Sequence, residues 1–105
     1  METTEDLMPL SNQQIEERLA GFDGWQFQDD KISKTFTFDS FSDGVNLISL
    51  LAPFCDKIDH HLDILINYKK IKFELTRYSI GNKVTDRDFT VANKIEELYN
   101  DYLKS

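Results

Sequence analysis

The sequence is poor in the residues that mark several classes of protein. It has one cysteine, Cys55, which excludes an internal disulfide and leaves no pair of thiols for a zinc finger. Its four glycines are scattered and form no phosphate-binding loop. No apolar run approaches the ~20 residues that cross a bilayer, and the acidic start METTEDLMPL lacks the features of a secretion signal. These absences favour a reducing, cytoplasmic setting without a membrane partner.

Basic residues are also in the minority, with 12 Lys and Arg against 19 Asp and Glu, which gives a formal charge of −7. This balance disfavours a nucleic-acid partner, because the phosphates carry the same sign. The densest basic cluster, Lys69, Lys70 and Lys72, is typical of the solvated face of a strand. A chain of 105 residues that is 40% hydrophobic suffices for one modest core. We therefore predict a mobile leader at residues 1–10 and one domain over residues 11–105.

Three segments have the hydrophobic period of helices. The first and the last begin with capping boxes, in which Ser11 is followed by Gln14 and Thr85 is followed by Asp88. The middle segment, residues 40 to about 59, has apolar residues at spacings of three and four. It ends at the two histidines of the chain.

Between these helices the period changes to two. Asp29-Asp30 predicts a turn between two strands, and a change of parity at Lys69-Lys70 predicts a bulge or a turn between two more. Pro53, inside the middle helix, predicts a kink or a break into two pieces because it removes a backbone donor. The order α-β-β-α-β-β-α predicts an α+β fold, in which helices pack on one face of an antiparallel sheet.

The stretch DKIDHHLD, residues 56–63, holds both histidines among carboxylates. On a continuous helix Asp56 would lie one turn from His60, and His61 would point about 100° away. Adjacent histidines therefore do not readily share a metal ion, and no further histidine or second cysteine offers another ligand. The imidazoles are either acid–base groups, which titrate near neutral pH, or partners for the negative end of a helix dipole. Cys55, on the apolar stripe, is predicted to be packed.

These residues, in this order, resemble the pterin-4a-carbinolamine dehydratase family, whose animal members are also dimerisation cofactors of a homeodomain transcription factor. The resemblance runs from Leu10 to Leu103 and includes Gly24-Trp25, the strand ISKTFTF and the stretch DKIDHH. The family's signature is a charged residue four before a His-His pair, then proline, an aromatic residue, a further histidine and an aspartate. The chain matches it at Asp56, His60, His61, Tyr68 and Asp88, and departs from it at Leu62, where proline is usual, and at Tyr78, where the third histidine is expected.

The resemblance implies the dehydration of a 4a-hydroxytetrahydropterin, which is a pterin-4a-carbinolamine, to the quinonoid dihydropterin. The reaction removes a hydroxyl from C4a and a proton from a ring nitrogen, so it needs neither a metal ion nor another cofactor. The resemblance implies His60 and His61 as the acid–base pair, with Asp56 orienting one of them. Asp88 is a further catalytic candidate, although its place in the helix cap also explains it.

The resemblance also implies residues that bind the reduced pterin. Backbone groups around Arg77, Tyr78 and Ser79 are expected to hold the flat edge of the ring system, and Tyr68 is expected to contact the ligand or pack in the wall. A homodimer or homotetramer is implied as well. A phenol is a poor base at neutral pH. Tyr78 therefore leaves a second interpretation, in which the chain is a catalytically impaired family member that binds pterins or assembles proteins. A different reduced pterin as substrate is a further alternative.

Overall fold

A computed structural model describes residues 8–60, 62–77 and 83–104 of the chain. The secondary structure follows the predicted order, with bounds α1 Asn12–Leu19, β1 Gln26–Gln28, β2 Lys31–Thr37, α2 Phe41–Ile58, β3 Asp63–Asn67, β4 Lys70–Leu75 and α3 Asp86–Lys104. The strands form one antiparallel sheet in the order β1-β2-β4-β3. The predicted α+β fold is therefore confirmed.

The core lies between the helices and one face of this sheet. Phe36 of β2 is opposite Ile71 of β4, and Ile32 is opposite Leu75. All four side chains are buried, whereas the residues between them on each strand are mostly polar or charged. This is the alternation that a sheet covered on one side requires. The helices add the buried residues Ile15, Leu47, Leu51, Phe89, Val91, Ala92 and Ile95.

Helix α2 is one continuous helix of 18 residues, with Pro53 inside it. The expected break into two pieces is wrong. Leu51 and Cys55 flank Pro53 and are both buried, so both halves of the helix pack against the core. The alternative expectation, a kink near Pro53, stays a prediction. The helix ends at Ile58, because Asp59 adopts the left-handed region with a φ of 53°.

Two predicted turns are confirmed. Asp29 and Asp30 have φ values of 54° and 60° and join β1 to β2 as a two-residue hairpin turn, which fits the right-handed twist of the paired strands. Tyr68, with a φ of 59°, and Lys69 join β3 to β4. A further turn, which the sequence Ile80-Gly81-Asn82-Lys83 predicts, falls mainly on residues outside those described.

The predicted leader reaches into the folded domain at its end. The backbone N–H of Leu10 donates to the carbonyl of Val84 at 2.8 Å, and the Leu10 side chain packs against the core. The ordered chain therefore begins before Ser11. Residues 1–7 lie outside the described part of the chain, so their predicted mobility stays a prediction.

Candidate active site

His60 lies two residues beyond the end of α2 and is 1% exposed. Its Nε2 is 2.6 Å from Oδ1 of Asp88, in the first turn of α3, and its Nδ1 is 3.1 Å from Nη1 of Arg77. Both ring nitrogens thus have protein partners. The helix stops before His60, so the spacing that would place Asp56 beside it does not apply. The carboxylate that holds His60 is Asp88.

Asp88 has the cap role that the sequence predicted and also faces His60, while its predicted catalytic role stays a prediction. It is fully buried, and its Oδ2 accepts the backbone N–H of Thr85 at 2.8 Å, which forms one half of the predicted capping box. Its Oδ1 faces His60. A negative charge is stabilised at this position by the dipole of α3. One carboxylate therefore joins the start of α3 to the imidazole that follows α2.

Two arginines bind the backbone at the end of α2. Nη1 of Arg87 donates to the carbonyl of Ile58 at 2.6 Å, and Nη1 of Arg77 lies 3.3 Å from the carbonyl of Asp59. Cations are favoured where a helix leaves its last carbonyls without intrahelical partners. The dipole role that the sequence left open for the histidines is thus filled by arginines. They lie 29 and 18 residues from the carbonyls they bind, so local spacing gave no signal for them.

A pocket of about 150 Å³ lies beside His60. Its lining is mostly apolar and consists of Ile48, Leu51, Ala52, Cys55, Asp56, His60, Leu62 and Ile64. An apolar pocket with a few polar groups is the usual form of a small-molecule site. Two larger depressions along α2, of about 210 and 300 Å³, contain no histidine. The pocket beside His60 is the candidate site because its lining contains an imidazole and a carboxylate, and not because of its volume.

Cys55 lies in this pocket as a protonated thiol. Burial raises its pKa to about 11, and the negative charge of Asp56 adds to the effect. A thiol attacks only as the thiolate. Cys55 is therefore the packed residue that its place on the apolar stripe predicted.

Several other predicted site residues are not brought to the pocket. Tyr68 is 68% exposed in the turn after β3. The five residues of β3 separate it from the segment of His60 by about 16 Å. The turn directs Tyr68 into solvent at the far end of the strand, so Tyr68 does not pack in the wall of this pocket, and its expected contact with the ligand stays a prediction.

The expected backbone role of Arg77 is also only partly available. Its N–H already donates to the carbonyl of Lys83 at 2.9 Å, which leaves no amide donor for a ligand. His61, Tyr78 and Ser79 lie outside the described residues, so their predicted roles, and the prediction that Asp56 orients one of the two histidines, stay predictions. Among the predicted site residues, the structure brings together His60, Asp88 and Arg77, with Asp56 in the adjoining pocket.

Comparison with known proteins gives a consistent result. Residues 8–98 match the model of the family described as pterin 4 alpha carbinolamine dehydratase. A protein of Sulfolobus acidocaldarius named "Putative pterin-4-alpha-carbinolamine dehydratase" is 35% identical over 87% of this chain and 99% of its own. The crystal structure of a transcriptional coactivator/pterin dehydratase from Brucella melitensis is similar with a TM-score of 0.82 and 29% identity, over 87% of this chain and 98% of that one.

A more distant structure shares the fold alone. It belongs to a pterin dehydratase-like protein identified as a RuBisCO assembly factor in the alpha-carboxysome. The likeness has a TM-score of 0.56 and 17% identity, and it covers 70% of this chain and 84% of that one.

Proposed function

Because the chain belongs to the pterin-4a-carbinolamine dehydratase family, we propose that it dehydrates a 4a-hydroxytetrahydropterin to the quinonoid dihydropterin. The observation that carries the proposal is the buried His60, bonded to Asp88 and lining an apolar pocket that also contains Asp56. The Asp56 carboxylate in this pocket, together with the imidazole of His61, which follows His60 in the sequence, provides the kinds of group that proton transfer near neutral pH requires.

The proposed reaction releases one molecule of water. The C4a–O bond breaks as an acid donates a proton to the leaving hydroxyl, and a base removes a proton from the ring nitrogen as the new C=N bond forms. No electrons are gained or lost overall. The protein must therefore supply one donor, one acceptor and a pocket that holds a flat bicyclic ring.

In this proposal, His61 is the imidazole that exchanges protons with the pterin. His60 is less suited to that task, because proton transfer at either of its nitrogens would break a bond to Asp88 or Arg77. We assign His60 and Asp88 the task of holding the segment that carries His61. Asp56 offers a carboxylate to the pocket. Tyr78, at the position of the third histidine, would donate a hydrogen bond or a proton.

Stopped-flow kinetics with a chemically generated carbinolamine test the proposal. The wild-type chain should accelerate dehydration over buffer, and His61→Ala should lower kcat by about 10²–10⁴-fold, which is the usual contribution of a positioned acid or base. Asn100→Ala, on the exposed side of α3, is the control and should keep the wild-type rate. An unaccelerated reaction with the folded wild-type chain would remove the enzyme assignment.

A second candidate function is a pterin-binding or protein-assembly module without useful catalysis. Two observations favour it: Tyr78 stands where the family has an imidazole, and both nitrogens of His60 are occupied. A protein that shares the fold is identified as a RuBisCO assembly factor. Tight binding of a stable dihydropterin, without acceleration of dehydration, would favour this candidate over the enzyme.

We further propose that the chain forms a homodimer or homotetramer. Large apolar side chains are exposed on α2 (Phe41, Val45 and Leu50) and on β3 (Leu65 and Ile66). β3 is also an edge strand of the sheet within the described residues, and exposed apolar edges favour pairing with another chain. Sedimentation equilibrium should give a multiple of the 12.3 kDa chain mass. A monomer at micromolar concentration would contradict this proposal.

The cellular location also remains a proposal. No helix within residues 8–60, 62–77 and 83–104 is long and apolar enough to cross a membrane. We propose a cytoplasmic location from the single cysteine, which allows no internal disulfide. Recovery of the protein in a membrane or secreted fraction would contradict it.

A further inference from the structure

Arg77 connects the sheet to the segment that follows α2. Its backbone N–H and carbonyl pair with those of Lys83 at 2.9 and 3.4 Å, so the residue is anchored just beyond β4. Its side chain is directed inward, and the residue is only 8% exposed. Nη1 lies 3.1 Å from Nδ1 of His60 and 3.3 Å from the carbonyl of Asp59. The guanidinium therefore contacts both the imidazole and the backbone immediately before it.

The chemistry of the two partners sets the direction of each hydrogen bond. A guanidinium has five N–H donors and no acceptor. Nδ1 of His60 must therefore be the acceptor in its contact with Arg77. The ring proton then lies on Nε2, 2.6 Å from the Asp88 carboxylate, which only accepts. A proton on Nδ1 would instead point at an N–H of Arg77, which cannot accept it.

The surrounding contacts favour this tautomer and this orientation of the His60 ring over the alternatives. The second oxygen of Asp88 already accepts the N–H of Thr85, so the carboxylate cannot rotate without losing the helix cap. Arg77 and Asp88 carry opposite charges on the two sides of one buried ring. A buried charge without a partner is costly. The imidazole thus lies between two groups that each have a further backbone contact: Arg77 with the carbonyl of Asp59, and Asp88 with the N–H of Thr85.

We propose that Arg77 is a positioning residue, which fixes His60 as its Nε2–H tautomer and holds the ring in line with Asp88. By also binding the carbonyl of Asp59, Arg77 restrains the turn that leads to His61. The effect on catalysis rests on the dehydratase function proposed above. The tautomer of His60 does not depend on the dehydratase function, so either proposal can be contradicted while the other holds.

The tautomer can be read directly from long-range ¹H–¹⁵N spectra of the imidazole. The chain has two histidines, so His61→Gln leaves the His60 ring as a single set of signals. At neutral pH these signals should have the Nε2–H pattern. Arg77→Met in this background should shift the Nδ1 signal or mix the two tautomers, and Arg77→Lys, which keeps a charged donor, should restore part of the pattern. Arg18→Met removes a half-exposed arginine that pairs with Asp86, and it should leave the His60 signals unchanged.

Two results would overturn the proposal. The first is an Nδ1–H pattern in the protein that retains Arg77, which decides the question even if Arg77→Met does not fold. The second is a folded Arg77→Met protein, checked by its dispersed amide spectrum, in which the His60 signals are unmoved.

Kinetics in the otherwise wild-type chain give the functional part of the test. Arg77→Met should lower kcat by roughly tenfold or more, because a charge-assisted hydrogen bond is lost. KM should stay within about twofold, since Arg77 acts through His60 and not on the substrate. Arg77→Lys should recover part of the rate. If the wild-type chain shows no dehydratase activity, the proposed function fails, while the tautomer measurement still decides the role of Arg77.

Discussion

At the residue scale, the sequence identified His60 and Asp88 but not the way in which they meet. A His-His pair among carboxylates indicated acid–base chemistry, and the box Thr85 to Asp88 indicated a helix start. The structure shows that one carboxylate serves the cap and the imidazole together. The contact between Arg77 and His60 joins residues 17 apart through tertiary packing. No spacing rule for helices or strands predicts such a contact.

Tyr78→His tests whether the departure from the family signature limits the rate. An imidazole can accept a proton at neutral pH, whereas a phenol with a pKa near ~10 cannot do so efficiently. We therefore expect Tyr78→His to raise kcat in the carbinolamine assay. Asn100→His, which adds an imidazole at an exposed site on α3, should not change the rate. An equal or slower rate in a folded Tyr78→His protein would show that tyrosine is not the limiting group.

The reactivity of Cys55 tests its packing in the pocket. Because burial raises the pKa from 9.0 to about 11, the thiolate fraction at pH 8 should be roughly a hundredfold below that of an ordinary thiol. Iodoacetamide should therefore modify the folded chain far more slowly than the chain in urea, as followed by mass spectrometry. Equal rates in the two states would show that the thiol is open to solvent.

The same raised pKa of Cys55 predicts how alkali affects stability. The unfolded chain releases the thiol proton first, near pH 9, and the folded chain releases it near pH 11. The stabilisation from the protonated thiol is thus complete below about pH 9 and is lost as the pH rises toward 11.

At the scale of helices and strands, periodicity was a good guide where it was unbroken. The order of elements, the Ser11–Gln14 box and the turn at Asp29-Asp30 are all present. The predicted break at Pro53 failed, because the loss of one backbone donor is outweighed by the burial of Leu51 and Cys55 around it. The end of α2 was predicted to within a residue, since the helical period was expected to end at about residue 59 and Asp59 stops the helix through its left-handed backbone conformation.

Pro53→Ala tests this explanation of α2. Pro53 is exposed, so its replacement removes little packing. Alanine restores a backbone donor and a high helix propensity, and the free energy of unfolding should rise by roughly 1–3 kcal/mol. Urea denaturation followed by circular dichroism measures this change. A destabilised Pro53→Ala protein would mean that the surroundings of the helix require the proline.

At the scale of the whole molecule, the individual helices and strands follow from residues that are near one another in sequence, whereas the pairing of β2 with β4 and the site both join distant parts. The pocket wall comes from α2 and the residues around β3, Asp88 comes from α3, and Arg77 follows β4. The family resemblance implied site roles for His60, Asp88 and Arg77 where residue patterns alone left alternatives, but it did not predict the contact between the Arg77 side chain and His60. It could not predict that Tyr68 lies in solvent at the far end of β3, because that depends on how this chain closes its hairpin.

The measurement that tests the account most directly is the initial rate of carbinolamine loss with and without the wild-type chain. We predict an acceleration proportional to protein concentration that is lost in Ala52→Trp, whose indole would fill the pocket beside His60. Asn100→Trp, at an exposed site on α3, should retain the acceleration. Rates that are equal with and without the folded wild-type protein, or that are unaffected when the pocket is filled, would contradict the account.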